Sequence, residues 1–208
     1  LIKLNLLGHG GTDSPSDSRR YTTEKQAADL IEIFDRLNVK QAYLIGYSMG
    51  GRLALSLAMI HPERVSGLVL ESSSPGLDSP EERKARREQD SRLSRRILEE
   101  GIESFVDYWE GIPLFASQLS MDPSKRKKVR EERLNNNPIG LRGSLIGMGT
   151  GSQPSWWNKL SGINYPVLLI AGSLDQKFVA INESMAKRIP AARLEIVEHT
   201  GHAVHVEE

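Results

Sequence analysis

The chain has 208 residues, 38% of them hydrophobic and 26% charged, which is ordinary for a folded globular protein and argues against a disordered one. Lys+Arg and Asp+Glu are both 27, so no net charge draws the chain to nucleic acid, and no apolar run approaches the ~18 residues of a membrane span. Cysteine is absent, which excludes disulfides, thiolate metal sites and thiol catalysis and suits a reducing cytoplasm.

In chain order, Leu1–Leu6 reads as a strand, followed by the turn-rich Gly8-His9-Gly10-Gly11-Thr12-Asp13-Ser14-Pro15. Thr22-Thr23-Glu24 opens a helix to about Leu37, with Ala28, Ile31 and Leu37 on or near one face with Phe34. Gln41–Gly46 is a second strand, Arg52–His61 a helix of small and apolar residues, and Val65–Leu70 a third strand. Pro166–Ala171 and Leu194–Val197 are the fourth and fifth. Strands alternating with helices imply a mostly parallel sheet with flanking crossover helices. Between Ser79 and Asn158 the pattern turns charged and helical, with no strong strand. Pro80 with Glu81 and Glu82 makes a helix start, and Ile102, Phe105, Val106 and Trp109 recur at helical spacing. Residues 79–158 are therefore expected to form an inserted helical cap on a core made of 1–78 and 159–208. The chain opens inside a strand-like run, without Met, and stops just after a motif. It reads as a fragment lacking its N-terminal strands, expected to be poorly soluble and nearly inactive alone.

Gly46-Tyr47-Ser48-Met49-Gly50 matches G-x-S-x-G, with a strand before it and a helix after it. Such a turn strains the serine backbone, and side chains at Gly46 and Gly50 are expected to collide, hence the two glycines. Gly51 would let the helix pack on the sheet. Ser48 then lies at a helix N-terminus, where backbone N–H groups favour negative charge, and the amide of Met49 would be one oxyanion donor. A glycine-rich turn with an incidental serine is the plainer alternative. Asp175 follows the fourth strand and His202 follows the fifth. Nucleophile, acid, histidine is the chain order of such a triad: Asp175 would orient the imidazole, and His202 would act as base. His199 and His205 are rival bases and Glu71 a rival acid. No G-x-x-x-x-G-K-[ST] loop and no metal-ligand spacing occurs, so no cofactor and no metal is expected.

Several longer motifs are more specific. They are Gly46-Tyr47-Ser48-Met49-Gly50-Gly51-Arg52, Glu71-Ser72-Ser73-Ser74-Pro75-Gly76-Leu77 and Phe115-Ala116. Further along come Arg133-Leu134-Asn135-Asn136-Asn137-Pro138, Asp175-Gln176-Lys177-Phe178 and Gly201-His202-Ala203-Val204-His205. Together they resemble the 2-succinyl-6-hydroxy-2,4-cyclohexadiene-1-carboxylate synthases of menaquinone biosynthesis, members of the α/β-hydrolase superfamily. The resemblance spans nearly the whole chain. It implies an α/β-hydrolase fold and a lyase that eliminates pyruvate from an enolpyruvyl cyclohexene tricarboxylate. In that chemistry Ser48, activated by His202, takes the proton next to a ketone. It also implies Tyr47, Arg52, Arg86, Trp109 and Arg133 as substrate-binding residues, since three carboxylates call for fixed cations and an arginine fork fits a carboxylate. The three arginines are expected to gather around one anionic ligand without local carboxylates. Each has a plainer role: Arg52 as an ordinary helix residue, Arg86 paired with Glu82, Arg133 at a helix C-terminus. Trp109 is equally plausible as a core aromatic. Asn5 departs from the aspartate many relatives carry, and the family's second oxyanion donor, from a His-Gly loop, would precede Leu1. A small anionic substrate is the expected partner, with no nucleic acid and no membrane. The competing readings are a serine esterase or carbon–carbon bond hydrolase, and an inactive binding module of the same fold.

Overall fold

The structure is a computed structural model that describes residues 1–208. It contains two compact units. One comprises Ala27–Gly76, Pro113–Ser120 and Pro154–Glu208, the other Leu1–Gln26, Leu77–Ile112 and Met121–Gln153.

The first unit is built on a four-stranded parallel sheet in the order β1 (Ala42–Tyr47), β2 (Val65–Glu71), β3 (Val167–Gly172), β4 (Ala192–Val197). Helix α1 (Thr23–Arg36) precedes β1, and α2 (Met49–Ile60) carries the chain from β1 to β2. Asn38 ends the α1 segment in the left-handed region (φ 54°), and Val39 N–H reaches back to Phe34 O at 2.8 Å. Asparagine tolerates that backbone conformation, so the helix stops there. The two central strands are apolar and mostly buried, as parallel strands covered on both faces must be. Leu68, Leu70 and Leu169 are almost wholly excluded from solvent. Strand β4 begins two residues earlier than its apolar run suggests, because Arg193 and Glu195 are exposed charges on an edge strand. The register pairs Tyr47 with Glu71, and Gly172 with Val197, so the strand ends that carry the site finish side by side.

The expected strand at Leu1–Leu6 is not formed. A strand exists through its ladder, and the sheet's pairing involves only β1 to β4. Leu1, Ile2 and Leu4 are exposed instead.

The second unit is helical: α3 (Pro80–Glu110), α4 (Pro123–Leu134) and α5 (Pro138–Met148). Each helix opens on the same device, a short polar cap followed by proline. Ser79 accepts from Glu82 N–H, Asp122 from Ser124 and Lys125 N–H, and Asn137 from Ile139 N–H. Proline costs nothing at the first helical position, where its missing N–H would have no helical partner. Helix α3 is interrupted at Gly101 (φ 84°, ψ 178°). Past that break the expected apolar repeat holds: Ile97, Phe105 and Val106 form a buried cluster with Leu93, Ile102, Trp109, Leu134, Leu141 and Leu145 packed on it. No helix is long and apolar enough to cross a membrane. The remaining helices are α6 (Gln176–Ala186) and the four-residue α7 (Val204–Glu207), both in the sheet unit.

Candidate active site

The chain leaves β1 at Tyr47 and enters α2 at Met49, so Ser48 makes the whole turn. It does so at φ 47°, ψ −106°, a conformation costly for any residue with a Cβ. Its N–H is held by Glu71 O at 2.8 Å, which ties the turn to the end of β2. A Cβ on Gly46 would stand 2.5 Å from the backbone of Gly50, and one on Gly51 would stand 2.7 Å from Ser73. A Cβ on Gly50 would meet nothing within 4 Å, so the expectation of a collision there is corrected. The steric demand falls on Gly46 and Gly51, the two points where helix and strand backbones approach.

On the other side of the site, β3 runs out into Gly172-Ser173-Leu174-Asp175 and β4 into the turn before His202. The two segments are laced together. Ser173 N–H donates to Val197 O, Leu174 N–H to Thr200 O, and His199 N–H to Ser173 Oγ, each at 2.9 Å. Asp175 caps α6, its Oδ1 accepting from Phe178 N–H at 3.3 Å. Its other oxygen, Oδ2, lies 2.7 Å from His202 Nδ1, and His202 Nε2 lies 3.0 Å from Ser48 Oγ. The ionised carboxylate accepts from Nδ1–H, which leaves Nε2 to accept from the serine hydroxyl. Asp175 is 9% exposed and His202 1%. Around the imidazole stand the rings of Phe178, Tyr47 and Phe115, at centroid distances of 4.6, 5.3 and 5.9 Å. An apolar, water-poor surround strengthens the Asp175–His202 attraction. The arrangement can withdraw a proton through Ser48 and store it on His202.

The rival residues are elsewhere engaged. His199 sits in the turn with φ 64° and an exposed side chain. His205 Nδ1 is 2.8 Å from Glu71 Oε1, and its ring meets Tyr47 edge-on at 4.8 Å. The hydrogen bond to Glu71 raises the His205 pKa. The stability this pair adds is therefore full below the ordinary histidine value of ~6.5 and is lost as pH rises through the raised value. Glu71→Gln is expected to bring the His205 titration down towards the ordinary range, read from its ring proton shifts by NMR. An unchanged midpoint would show that Glu71 does not set it.

The other sequence-predicted residues fall as follows. Met49 is the first residue of α2, directly after Ser48. Tyr47 packs on the rings of both His202 and His205. Arg52 is one turn into α2, its N–H bonded to Ser48 O at 3.0 Å. Arg86 pairs with Asp90, not Glu82, at 2.8 Å, and Arg133 pairs with Glu110 at 3.2 Å. Arg86 and Arg133 thus have local carboxylates, contrary to expectation. A carboxylate beside each guanidinium holds the fork in place and offsets its charge. Trp109 stacks on Phe105 at 5.4 Å within the core cluster of the helical unit. No group of three or more His, Cys, Asp or Glu side chains is placed to hold a metal ion. Sequence reasoning assigned no role to Phe178 and Phe115, which pack on the histidine, because a ring contact between distant segments leaves no spacing signal.

A parallel sheet with a serine at a strained strand-to-helix turn after β1, hydrogen-bonded through histidine to an aspartate after β3, defines an α/β-hydrolase-fold protein. A family model described as the alpha/beta hydrolase fold matches residues 1–208. A Bacillus subtilis (strain 168) protein, provisionally named 2-succinyl-6-hydroxy-2,4-cyclohexadiene-1-carboxylate synthase, is 55% identical over 100% of this chain and 76% of its own length. The protein of that name from Klebsiella pneumoniae subsp. pneumoniae is 31% identical, over 98% of this chain and 77% of its own. A solved structure of MenH from S. aureus superposes with a TM-score of 0.94 at 37% identity, over 99% of this chain and 77% of that one. The chain belongs to the 2-succinyl-6-hydroxy-2,4-cyclohexadiene-1-carboxylate synthase family.

Proposed function

We propose that this chain is a lyase of menaquinone biosynthesis. It eliminates pyruvate from 2-succinyl-5-enolpyruvyl-6-hydroxy-3-cyclohexene-1-carboxylate, leaving the 2,4-cyclohexadiene. Membership of the synthase family at 55% identity over the whole chain is the observation that carries this reading. The hydrogen-bonded line Asp175–His202–Ser48 supplies the chemistry. The Ser48 oxygen, as its proton passes to His202, takes the proton beside the ketone. The freed electron pair delocalises onto the ketone oxygen and then moves through the ring as the bond to the enolpyruvyl oxygen breaks. Asp175 steadies the protonated imidazole, which gives up its proton as the departing enolate becomes pyruvate. The Met49 amide, at the helix N-terminus, is a donor for the enolate oxygen. No acyl-enzyme forms, so the triad works as a base relay.

The substrate is a tricarboxylate, and Arg52, Arg86 and Arg133, with Tyr47 and Trp109, are the residues proposed to bind it. The proposed setting is cytoplasmic. The test is an assay of the purified protein on the enolpyruvyl substrate, scored against Arg52→Ala. Losing a hydrogen bond to a charged group costs about 1.5–3 kcal/mol, roughly 10- to 100-fold in kcat/KM. Full activity in the arginine variant would remove Arg52 from the site.

A further inference from the structure

His202 must keep its ring between two fixed partners, and it rides on the turn between β4 and α7. Asp175 holds the ring, but nothing in a triad description holds the backbone beneath it.

We infer that Glu207 is a positioning residue: its carboxylate clamps the backbone on both sides of His202 and so fixes where the imidazole stands. Oε2 accepts from Gly201 N–H at 2.6 Å, the residue before the histidine. Oε1 faces Ala203 N–H, the residue after it, at 3.4 Å, and accepts from Ser117 Oγ–H at 3.0 Å. The donors flanking His202 therefore converge on one carboxylate, and the short contact is charge-assisted. Ser117 belongs to the 3-10 helical stretch Pro113–Ser120, which also places Phe115 against the imidazole. The clamp thus joins that stretch to the histidine turn. The approach is so close that a Cβ on Gly201 would run into Ser117 Oγ, so glycine is required there. The Glu207 carboxylate hydrogen-bonds to Gly201, Ala203 and Ser117 and not to Ser48 or the imidazole, so it takes no part in moving the proton. Its role is geometric, and a misplacement of 1 Å in a reacting group can cost on the order of 10²-fold.

The inference rests on His202 acting as the base proposed above. The test measures kcat, KM and thermal midpoint for Glu207→Ala, Glu207→Gln and Ser117→Ala, on the enolpyruvyl substrate and on a neutral nitrophenyl ester. Glu207→Ala is expected to lower kcat by roughly 10- to 100-fold with KM nearly unchanged. Glu207→Gln should recover most of that loss. Its amide oxygen can accept from Gly201 N–H, while the Ser117 hydroxyl turns to accept from the amide NH2. Ser117→Ala should lower kcat severalfold in a chain that stays folded, which reads the clamp even if Glu207→Ala does not fold. Unchanged kcat in both alanine variants, or a Gln variant as damaged as Ala, overturns the inference. The ester separates the two claims, because a clamp on His202 serves either reaction. Loss of kcat on the ester by a protein that releases no pyruvate would sink the lyase reading and leave the clamp standing.

Discussion

Replacing Ser48 or His202 with alanine is expected to lower pyruvate release by about 10²–10⁴-fold, the usual contribution of a positioned general base. The reason is geometric as well as chemical. Ser48 Oγ, 3.0 Å from His202 Nε2, is the only place in the line where a substrate proton can enter. Without Ser48 the imidazole faces a gap; without His202 the hydroxyl has no acceptor for its own proton. Because the groups act as a unit, the double variant should be no slower than the worse of the two single variants. Steady-state rates for the three proteins decide the matter. Near-normal turnover in either single variant would place the base elsewhere, and His205, 4.8 Å from Tyr47 across the ring contact, would be the next residue to remove.

The second large effect concerns the turn itself. Gly46→Ala is expected to lower stability by about 1–3 kcal/mol, the range for overpacked sites. The added methyl would stand 2.5 Å from Gly50 backbone atoms, which cannot swing away as a side chain can. Whatever yields must move α2 or β1, and Ser48 sits between them. Activity should therefore fall by ~10²-fold or more even where the protein still folds. Gly50→Ala is the control, since a methyl there meets nothing within 4 Å. Its thermal midpoint should match or exceed that of the parent, because alanine favours a helix over glycine by up to about 1 kcal/mol. Equal loss in both variants would mean that the two glycines share one conformational role after all.

Much of this was legible in the sequence because the signals are local. The runs Val65–Leu70, where Ser66 is the one polar side chain, and Pro166–Ala171 are otherwise apolar, as buried parallel strands are, and they match β2 and β3 to within a residue at each end. Ser48, Asp175 and His202 were found because each follows a strand and the strands are parallel, which brings their ends together. What failed was pairing that depends on tertiary context. Leu1–Leu6 has a strand's composition and no ladder. Arg86 has a carboxylate four residues away on both sides, Glu82 and Asp90, and helical spacing cannot choose between them. Burial chooses: Asp90 is 3% exposed, and an unpaired charge there would be costly. Glu207 lies five residues after His202, a separation with no meaning until the turn folds back on itself.

The base-relay mechanism is tested most directly by a single-turnover experiment, with enzyme in excess over substrate carrying deuterium at the carbon next to the ketone. Product release cannot mask the chemical step under that condition. The expected result is that deuterium slows pyruvate formation severalfold and that the protein mass stays unchanged throughout. Equal rates for the two isotopologues, together with a covalent adduct on Ser48, would contradict proton abstraction and make Ser48 a nucleophile.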